Sequence, residues 1–416
     1  MSTQLPLRGG RDVPDSEVRG LPLRGVRVLD LATLLAAPFG AELLGDFGAE
    51  VIKVELPGVG DPMRFLEPHR EGVPLWWKVV SRNKQSITLD VRKPRGREVL
   101  LRLVERSDAL VENFRPGTLE RWGLGPQELL RINPGLVILR TTGFGQTGPY
   151  AGQPGFGRVA ETLSGLAGIT GYPDRPPLHA PFPLGDMVSG LFGALGVMIA
   201  LYHRDAQKSG RGQVVDLGLY EAVFRLLEVL PAEYDQLGIV RERAGNRNPS
   251  VAPLGVFQTG DGRWVSMVAS SQAVCERLFR AMGGEELVAD PRFRTMKDRL
   301  DNVDALEALM AEWIGRHTLA EVREIFTAGE VPFAPVYTIA DVFQDPQFAA
   351  RENIIEVTDP ELGKVRMPGV VPRLSETPGR VRSAGPALGA HTDTVLRDIG
   401  GYTEEELASL RNEGVI

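Results

Sequence analysis

Between Gly25 and Gly145 the chain alternates short apolar runs with amphipathic stretches. VRVLDL (26–31) and AEVIKVE (49–55) read as strands, and PFGAELLGDFG between them has the spacing of a short helix, so this stretch predicts a βαβ unit. SITLD (86–90), PRGREVLLRLVERS (94–107), DALVENF (108–114) and LVILRTTGFG (136–145) continue the alternation. The expected fold class is therefore α/β, with a doubly wound parallel sheet and helices on both faces. The turn after the first strand reads LATLLAAPFG and has no GxGxxG, which argues against a nicotinamide enzyme.

The texture changes after Pro149. GFGRVAETLSGLAGITG is rich in glycine, and YPDRPPLHAPFP then delivers the chain to PLGDMVSG, where Asp186 precedes sixteen uncharged residues, MVSGLFGALGVMIALY. LGVFQTGDGRWVSMVAS (254–270) predicts a hairpin closed by Gly-Asp-Gly, followed by amphipathic helices at 272–282 and 303–316. These place a linker and a smaller α+β domain at 226–344. The tail from 345 to 416 ends in EEELASLRNEGVI, a terminal helix with its acids in the first turn, and is expected to return to a large domain formed by 21–225 and 345–416. Residues 1–20 read as a flexible tail. LPLRG at 5–9 recurs at 21–25 without a further period, which makes it a coincidence rather than a repeat.

Composition narrows the function classes. With 416 residues, 43% of them hydrophobic, the chain can bury a large core and divide into two domains. A net charge of -7 without a basic patch argues against nucleic acid, so an anionic small molecule must be met by local arginines, which make up 40 of the 47 basic residues. The five histidines (69, 179, 203, 317, 391) form no pair at ligand spacing and Cys275 stands alone, so no metal site and no disulfide framework is expected. The absence of a signal-like apolar stretch at the N-terminus and the single cysteine point to a reducing cytoplasm. The sixteen-residue run falls short of the roughly 20 that span a bilayer, so it is expected to be a buried helix, not a membrane segment. Ser189, Gly193, Gly196 and Ala200 give that helix a small-residue face for close packing.

Asp186 has two readings. Taken alone, an aspartate before a helix is an N-cap that accepts from free first-turn amides. The wider pattern changes the balance. GVRVLDL, LLGDFGAEVIKVE, GDPMR, ENFRPGTLERWGL, TGFGQTGPY, PLGDMVSG and SGRGQVVDLGLYEAV occur in this order, and over about residues 22–380 the chain resembles the class III CoA-transferase (CaiB/BaiF) family. That resemblance implies a Rossmann-like large domain, a ring-shaped subunit interlocked with a second one, and a nucleophilic aspartate at the GD position, Asp186. It implies CoA contacts for Arg64, Leu89, Arg92, Asn113, Phe114, Arg115 and Arg121. Each arginine, read singly, serves equally well as solvated surface. CoA enters as a substrate, with no permanently bound cofactor.

PLGDMVSGLFGALGVMIAL, GLYEAVFR and RLSETPGR are similar to the group of this family that uses succinyl-CoA and dicarboxylate acceptors, the succinyl-CoA:L-malate type among them. The family's racemases place a histidine where this chain has Phe156, which cannot carry a proton. Many transferases have an acid where Gly157 stands, and the formyl-CoA:oxalate type has glutamine at Leu35. The expected substrate pocket is therefore Leu35, Phe156, Gly157, Arg158 and Arg247, with His203 as a further cationic candidate for a distal carboxylate. The function expected is CoA transfer to a C4–C5 dicarboxylate by a homodimer, or by a heteromer with a paralogous subunit. The alternatives are a racemase on the same scaffold, or a CoA-binding partner subunit. What takes the place of the acid missing at Gly157 is left open by the sequence.

Overall fold

The structure is a computed structural model that describes residues 20–416; the expected tail and the first LPLRG lie outside the described residues. Six strands, β1 (Arg27–Asp30), β2 (Glu50–Glu55), β3 (Lys84–Thr88), β4 (Ala109–Glu112), β5 (Val137–Thr142) and β6 (Val214–Gly218), form one sheet in the order β3-β2-β1-β4-β5-β6. Every pairing is parallel. This is the doubly wound order, and it reverses direction between β1 and β4. The sequence reading found five of these strands and passed over β6, whose VVDLG carries its own aspartate and is only partly buried.

Strand side chains alternate between two cores, as a period of two demands. Leu29, Ile52, Ile87, Leu110 and Ile138 face one side, where they meet Val99, Leu100, Leu103 and Val104 of α2 (Pro94–Val104). Val28, Val51, Ala109, Val111, Val137 and Leu139 face the other, against Ala37, Ala41 and Leu44 of α1 (Ala36–Asp46) and Val197, Ala200 and Leu201 of a long helix, Leu184–Asp205. Between these elements run α3 (Gly157–Leu163) and then the long helix as α4; α5 (Leu219–Arg225) follows β6. The C-terminal α6 (Thr392–Asp398) and α7 (Glu404–Asn412) return to the α2 side through Val395, Leu396, Leu407 and Leu410. Glu404, Glu405 and Glu406 occupy the first turn of α7, with Thr403 and Glu406 forming a capping box.

The contacts divide the chain into two units. One comprises the described residues up to Ala167 together with His179–Val240 and Ala350–Ile416; the other comprises Gly168–Leu178 and Arg241–Ala349. The boundaries therefore differ from 225/226 and 344/345. The difference at 168–178 has a physical reason: Gly171 accepts from the Gly245 amide, and Arg243 donates to the Tyr172 carbonyl, so this loop is tied to the second unit. That unit holds the expected hairpin as Leu254–Gln258 and Trp264–Val268, joined by Phe333–Pro335, and helices Gln272–Gly283 and Val303–Gly315. Cys275 is part of its core, and burial pushes its thiol up to about 11, the behaviour of an inert buried side chain.

Helix α4 corrects the length argument made from the apolar run. At 22 residues it is long and apolar enough to cross a membrane by length and composition, but half of its most apolar window is buried inside the fold. It packs on α1, β5 and β6. Close approach to α1 depends on glycine: a Cβ at Gly190 would lie 2.6 Å from the Ala36 carbonyl oxygen, and one at Gly40 would lie 2.9 Å from that of Gly190. Gly193 and Gly196, expected to admit a second backbone, instead admit the side chains of Leu139 and Val215.

Candidate active site

The first turn of α4 carries Asp186 as its third residue, behind Pro183, and no side chain caps the helix. The N-cap reading is thereby corrected: Asp186 lies inside the helix and is half-buried. Two first-turn amides that the cap reading left free already have partners. Leu184 donates to the Phe182 carbonyl, and Gly185 donates to Glu161 Oε1 at 3.1 Å.

What faces the carboxyl is the start of α3. A Cβ at Gly157 would fall 2.2 Å from Asp186 Oδ2, so a residue with a side chain does not fit there in this arrangement. One turn further along α3, Glu161 is 2% exposed and pairs through Oε2 with His179 Nδ1 at 2.9 Å. Burial, and then the Glu161 charge, push the Asp186 carboxyl up to about 6. Neither Glu161 nor His179 was selected from the sequence. The signal was there in part, because VAETL puts Glu161 four residues after Gly157 and thus on the same helix face.

Leu35 is buried in a small cluster with Met63, Trp77 and Val80, against which Met187 packs, so it lies by the residue that follows Asp186. Phe156 precedes α3 and is 65% exposed. Arg158, next on α3, is exposed. The other two cations come out differently. His203 sits in the last turn of α4 with its Nδ1 near Gln207 Oε1; seventeen residues of helix separate it from Asp186, about 25 Å at 1.5 Å per residue, too far for one small acid to touch both. Arg247 belongs to the second unit and is held there by Glu307, at 2.9 and 2.6 Å, and by Asp304, at 2.6 Å. These two carboxylates engage its Nε and Nη2 and push its pKa further up.

The expected CoA residues gather at the carboxyl ends of the strands. Asn113 follows β4 and bonds both backbone groups of Thr33, donating to its carbonyl at 2.7 Å and accepting from its amide at 2.8 Å. This closes the sheet where its strand order reverses, the crevice in which open α/β sheets bind ligands. Phe114 meets Trp122 edge to face at 5.1 Å, and Leu89 is in the core. Arg115 and Arg121 are exposed, with Arg121 Nη2 donating to Thr118 at 2.9 Å. Arg92 is 53% exposed at the side chain and bidentate with Asp90. Arg64 differs from these: only 13% exposed, it forks onto Glu55 at 2.7 and 2.8 Å and its guanidinium lies 3.6 Å over the Trp77 ring. Below it, Lys53 pairs with Asp61 at 2.7 Å, and Asp61 in turn accepts from the Leu34 and Met63 amides. GDPMR thus fixes the loop that leads into α1. Among the described residues no group of three or more His, Cys, Asp or Glu is placed to hold a metal ion.

Comparison with known proteins agrees in sequence and in fold. A family model described as CoA-transferase family III matches residues 23–392. The succinyl-CoA:D-citramalate CoA-transferase of Chloroflexus aurantiacus is 48% identical over 396 residues, covering 95% of this chain and 98% of that protein. The beta subunit of the succinyl-CoA:L-malate CoA-transferase of the same organism is 45% identical, covering 97% and 100%. Among solved structures, a CaiB/BaiF family protein from Brucella suis superposes with a TM-score of 0.81 at 33% identity, covering 91% of this chain and all of that one.

Proposed function

The chain belongs to CoA-transferase family III, and from that premise we propose that it moves CoA from succinyl-CoA to a short dicarboxylate of the malate, citramalate, itaconate or mesaconate type, with Asp186 as the covalent carrier. The observation that carries the reading is the half-buried Asp186 carboxyl, held against Gly157 and pushed up to about 6. With that value about nine-tenths of it is ionised at pH 7, yet it is a stronger nucleophile than an exposed aspartate.

The Asp186 carboxylate attacks the thioester carbonyl of succinyl-CoA, giving a succinyl-aspartyl anhydride and CoA thiolate. The thiolate attacks the aspartyl carbonyl, breaks the anhydride and releases succinate, leaving an aspartyl-CoA thioester. An acceptor carboxylate runs the same two steps in reverse and leaves with CoA. One thioester is exchanged for another, so the protein has to align the groups and keep water from the anhydride. Placement at the β1/β4 crevice supports a CoA site that includes Asn113 and Phe114, with Leu89, at the end of β3, assigned to it by family resemblance. Arg92, Arg115 and Arg121 would meet the phosphates. Arg64, committed to Glu55, would shape the site more than contact the ligand. Leu35, Phe156, Gly157 and Arg158 remain the acceptor-side assignment.

The assembly is part of the proposal. Leu191, Leu195, Ile199 and Tyr202 form a stripe along α4, each more than half exposed, which suits a covering second subunit. A homodimer of interlocked, ring-shaped subunits fits this. The alpha and beta subunit names of the L-malate relatives leave a heteromer as the variant. A cytoplasmic setting suits a chain with one buried cysteine.

The test is Asp186→Ala. It should retain the fold and lose activity by about a thousandfold or more, and hydroxylamine added to wild-type protein with succinyl-CoA should convert Asp186, and no other carboxylate, to a hydroxamate found by peptide mass spectrometry. Near wild-type turnover in the alanine variant refutes the assignment.

A further inference from the structure

A buried carboxylate beside Asp186 has no part in the transfer steps above. Glu161 is 2% exposed, although an acid in that position must be tied down or neutralised. It is tied down from two sides. Oε1 accepts from the amide of Gly185, the residue before Asp186, and Oε2 accepts from His179, which arrives from the Pro-rich segment. With Glu161 ionised, the donor of this pair is His179 Nδ1.

Resting on the reading of Asp186 as the acyl carrier, we propose that Glu161, held by His179, is the positioning residue of this site. Through the Gly185 amide it fixes the turn that aims Asp186, and it places a second negative charge beside the carboxylate. That charge has a direction of effect. Free Asp186 is anionic, whereas its aspartyl carbonyl is uncharged in the anhydride, formed as CoA thiolate leaves, and in the CoA thioester, formed as succinate leaves. A neighbouring anion therefore raises the free carboxylate in energy and leaves the acylated forms almost untouched, so it shifts the equilibrium toward the loaded enzyme. The bare Gly157 leaves room for the Asp186 carboxyl at the start of the helix that carries Glu161.

Other charged groups on the neighbouring elements are committed elsewhere. On α1, Glu42 and Asp46 pair with Arg82. On α5, Glu221 accepts from the Gly218 amide and Arg225 pairs with Glu228. Arg158 on α3 is exposed. Among these described groups, Glu161 is the one whose charge bears on Asp186.

Glu161→Gln keeps an acceptor for the Gly185 amide and removes the charge, whereas Glu161→Ala removes both. Two measurements on the full-length protein separate the parts. First, without any acyl-CoA, the pH dependence of Asp186 labelling by a water-soluble carbodiimide with a glycine ester, read at the peptide level, should shift about one unit to lower pH in Glu161→Gln. Second, at a fixed ratio of succinyl-CoA to succinate, the hydroxylamine-trapped fraction of Asp186 should fall about tenfold in the same variant, with the rate of loading nearly retained. Glu161→Ala should load more slowly than Glu161→Gln by about tenfold or more. Wild-type labelling midpoint and wild-type trapped fraction in Glu161→Gln overturn the charge role. Equal loading rates in the two variants overturn the positioning role. If Glu161→Ala does not fold, Glu161→Gln alone still decides the charge role. If wild-type Asp186 is never trapped, the carrier reading fails, while the carbodiimide shift still reports whether the two acids are coupled.

Discussion

Gly157→Ala isolates the geometry of the Asp186 carboxyl from the stability of the fold. The added methyl would stand 2.2 Å from Asp186 Oδ2 and 2.9 Å from its Cγ, against about 3.4 Å for an ordinary contact. The carboxyl oxygen must therefore retreat by about 1 Å, and a misplacement of that size at a reacting group lowers kcat about a hundredfold. Stability should change little, because the one backbone neighbour, the Asp186 nitrogen at 3.1 Å, needs to give by only a few tenths of an ångström. Alanine in place of glycine at the start of α3 contributes up to about 0.5–1 kcal/mol, and an off-rotamer Asp186 costs a similar amount. Gly185→Ala is the matched control, because its Cβ would meet backbone: the Gly157 oxygen at 2.6 Å and the Gly157 carbon at 3.0 Å. Backbone cannot rotate aside, so this variant should be destabilised by about 1–3 kcal/mol and show a lower Tm. The assay is initial-rate transfer from succinyl-CoA to a dicarboxylate acceptor, alongside thermal unfolding of both variants. A Gly157→Ala enzyme within threefold of wild-type kcat, at unchanged Tm, would refute the claim that Asp186 Oδ2 in its observed place carries the reaction.

Activity should fall as pH drops through about 6, because the nucleophile is the ionised Asp186, whose pKa is raised mainly by burial and then by Glu161; a kcat/KM profile flat from pH 7 down to 5 contradicts this. Arg121→Ala should raise the KM for acyl-CoA without moving Tm. Arg64→Ala should lower Tm, because the buried Glu55 loses its charge partner and keeps only the Asp61 amide and the Ser86 hydroxyl as donors. Burial pushes Glu42 from 4.5 up to about 8. A folded pKa above the unfolded one gives stability that is present below pH 4.5 and lost as pH rises toward 8, so Glu42→Gln should exceed wild type in stability at pH 8–9 and converge with it near pH 5, as read by urea unfolding. A short dicarboxylate should accept CoA about tenfold or more better than a monocarboxylate of equal length, with butyrate set against isotopically labelled succinate, whose exchange with succinyl-CoA leaves no other net product, as the comparison.

The sheet was legible in the sequence because its buried strands carry short apolar clusters, VL in β1, VI in β2 and VIL in β5, separated by helix-like and turn-rich stretches. β6 was not legible, since an edge strand needs less burial and VVDLG shows little. Asp186 stood out as a lone acid beside an apolar helix. Its status as cap or interior residue was beyond reach, because Pro183 and Leu184 both suit a helix start and only the backbone decides. His203 stands too far along α4 to share one small acid with Asp186, and Arg247 has two acidic partners of its own: sequence reports that a charge is present, while helix length and existing partners bear on what it can reach.

Gly157 and Glu161 show how a site can keep an acid and yet lose it from the expected place. A carboxylate at position 157 would have to occupy the volume that Asp186 Oδ2 fills. Moving the acid one turn along α3 changes its distance and its company: Glu161 points at the Gly185 amide and at His179, two donors that make a buried negative charge tolerable. Both Glu161 oxygens are held by donors, whereas the Asp186 carboxyl is half-buried against Gly157. The two carboxylates are thus differentiated by their environments, from a pair of residue types that sequence alone treats as equivalent.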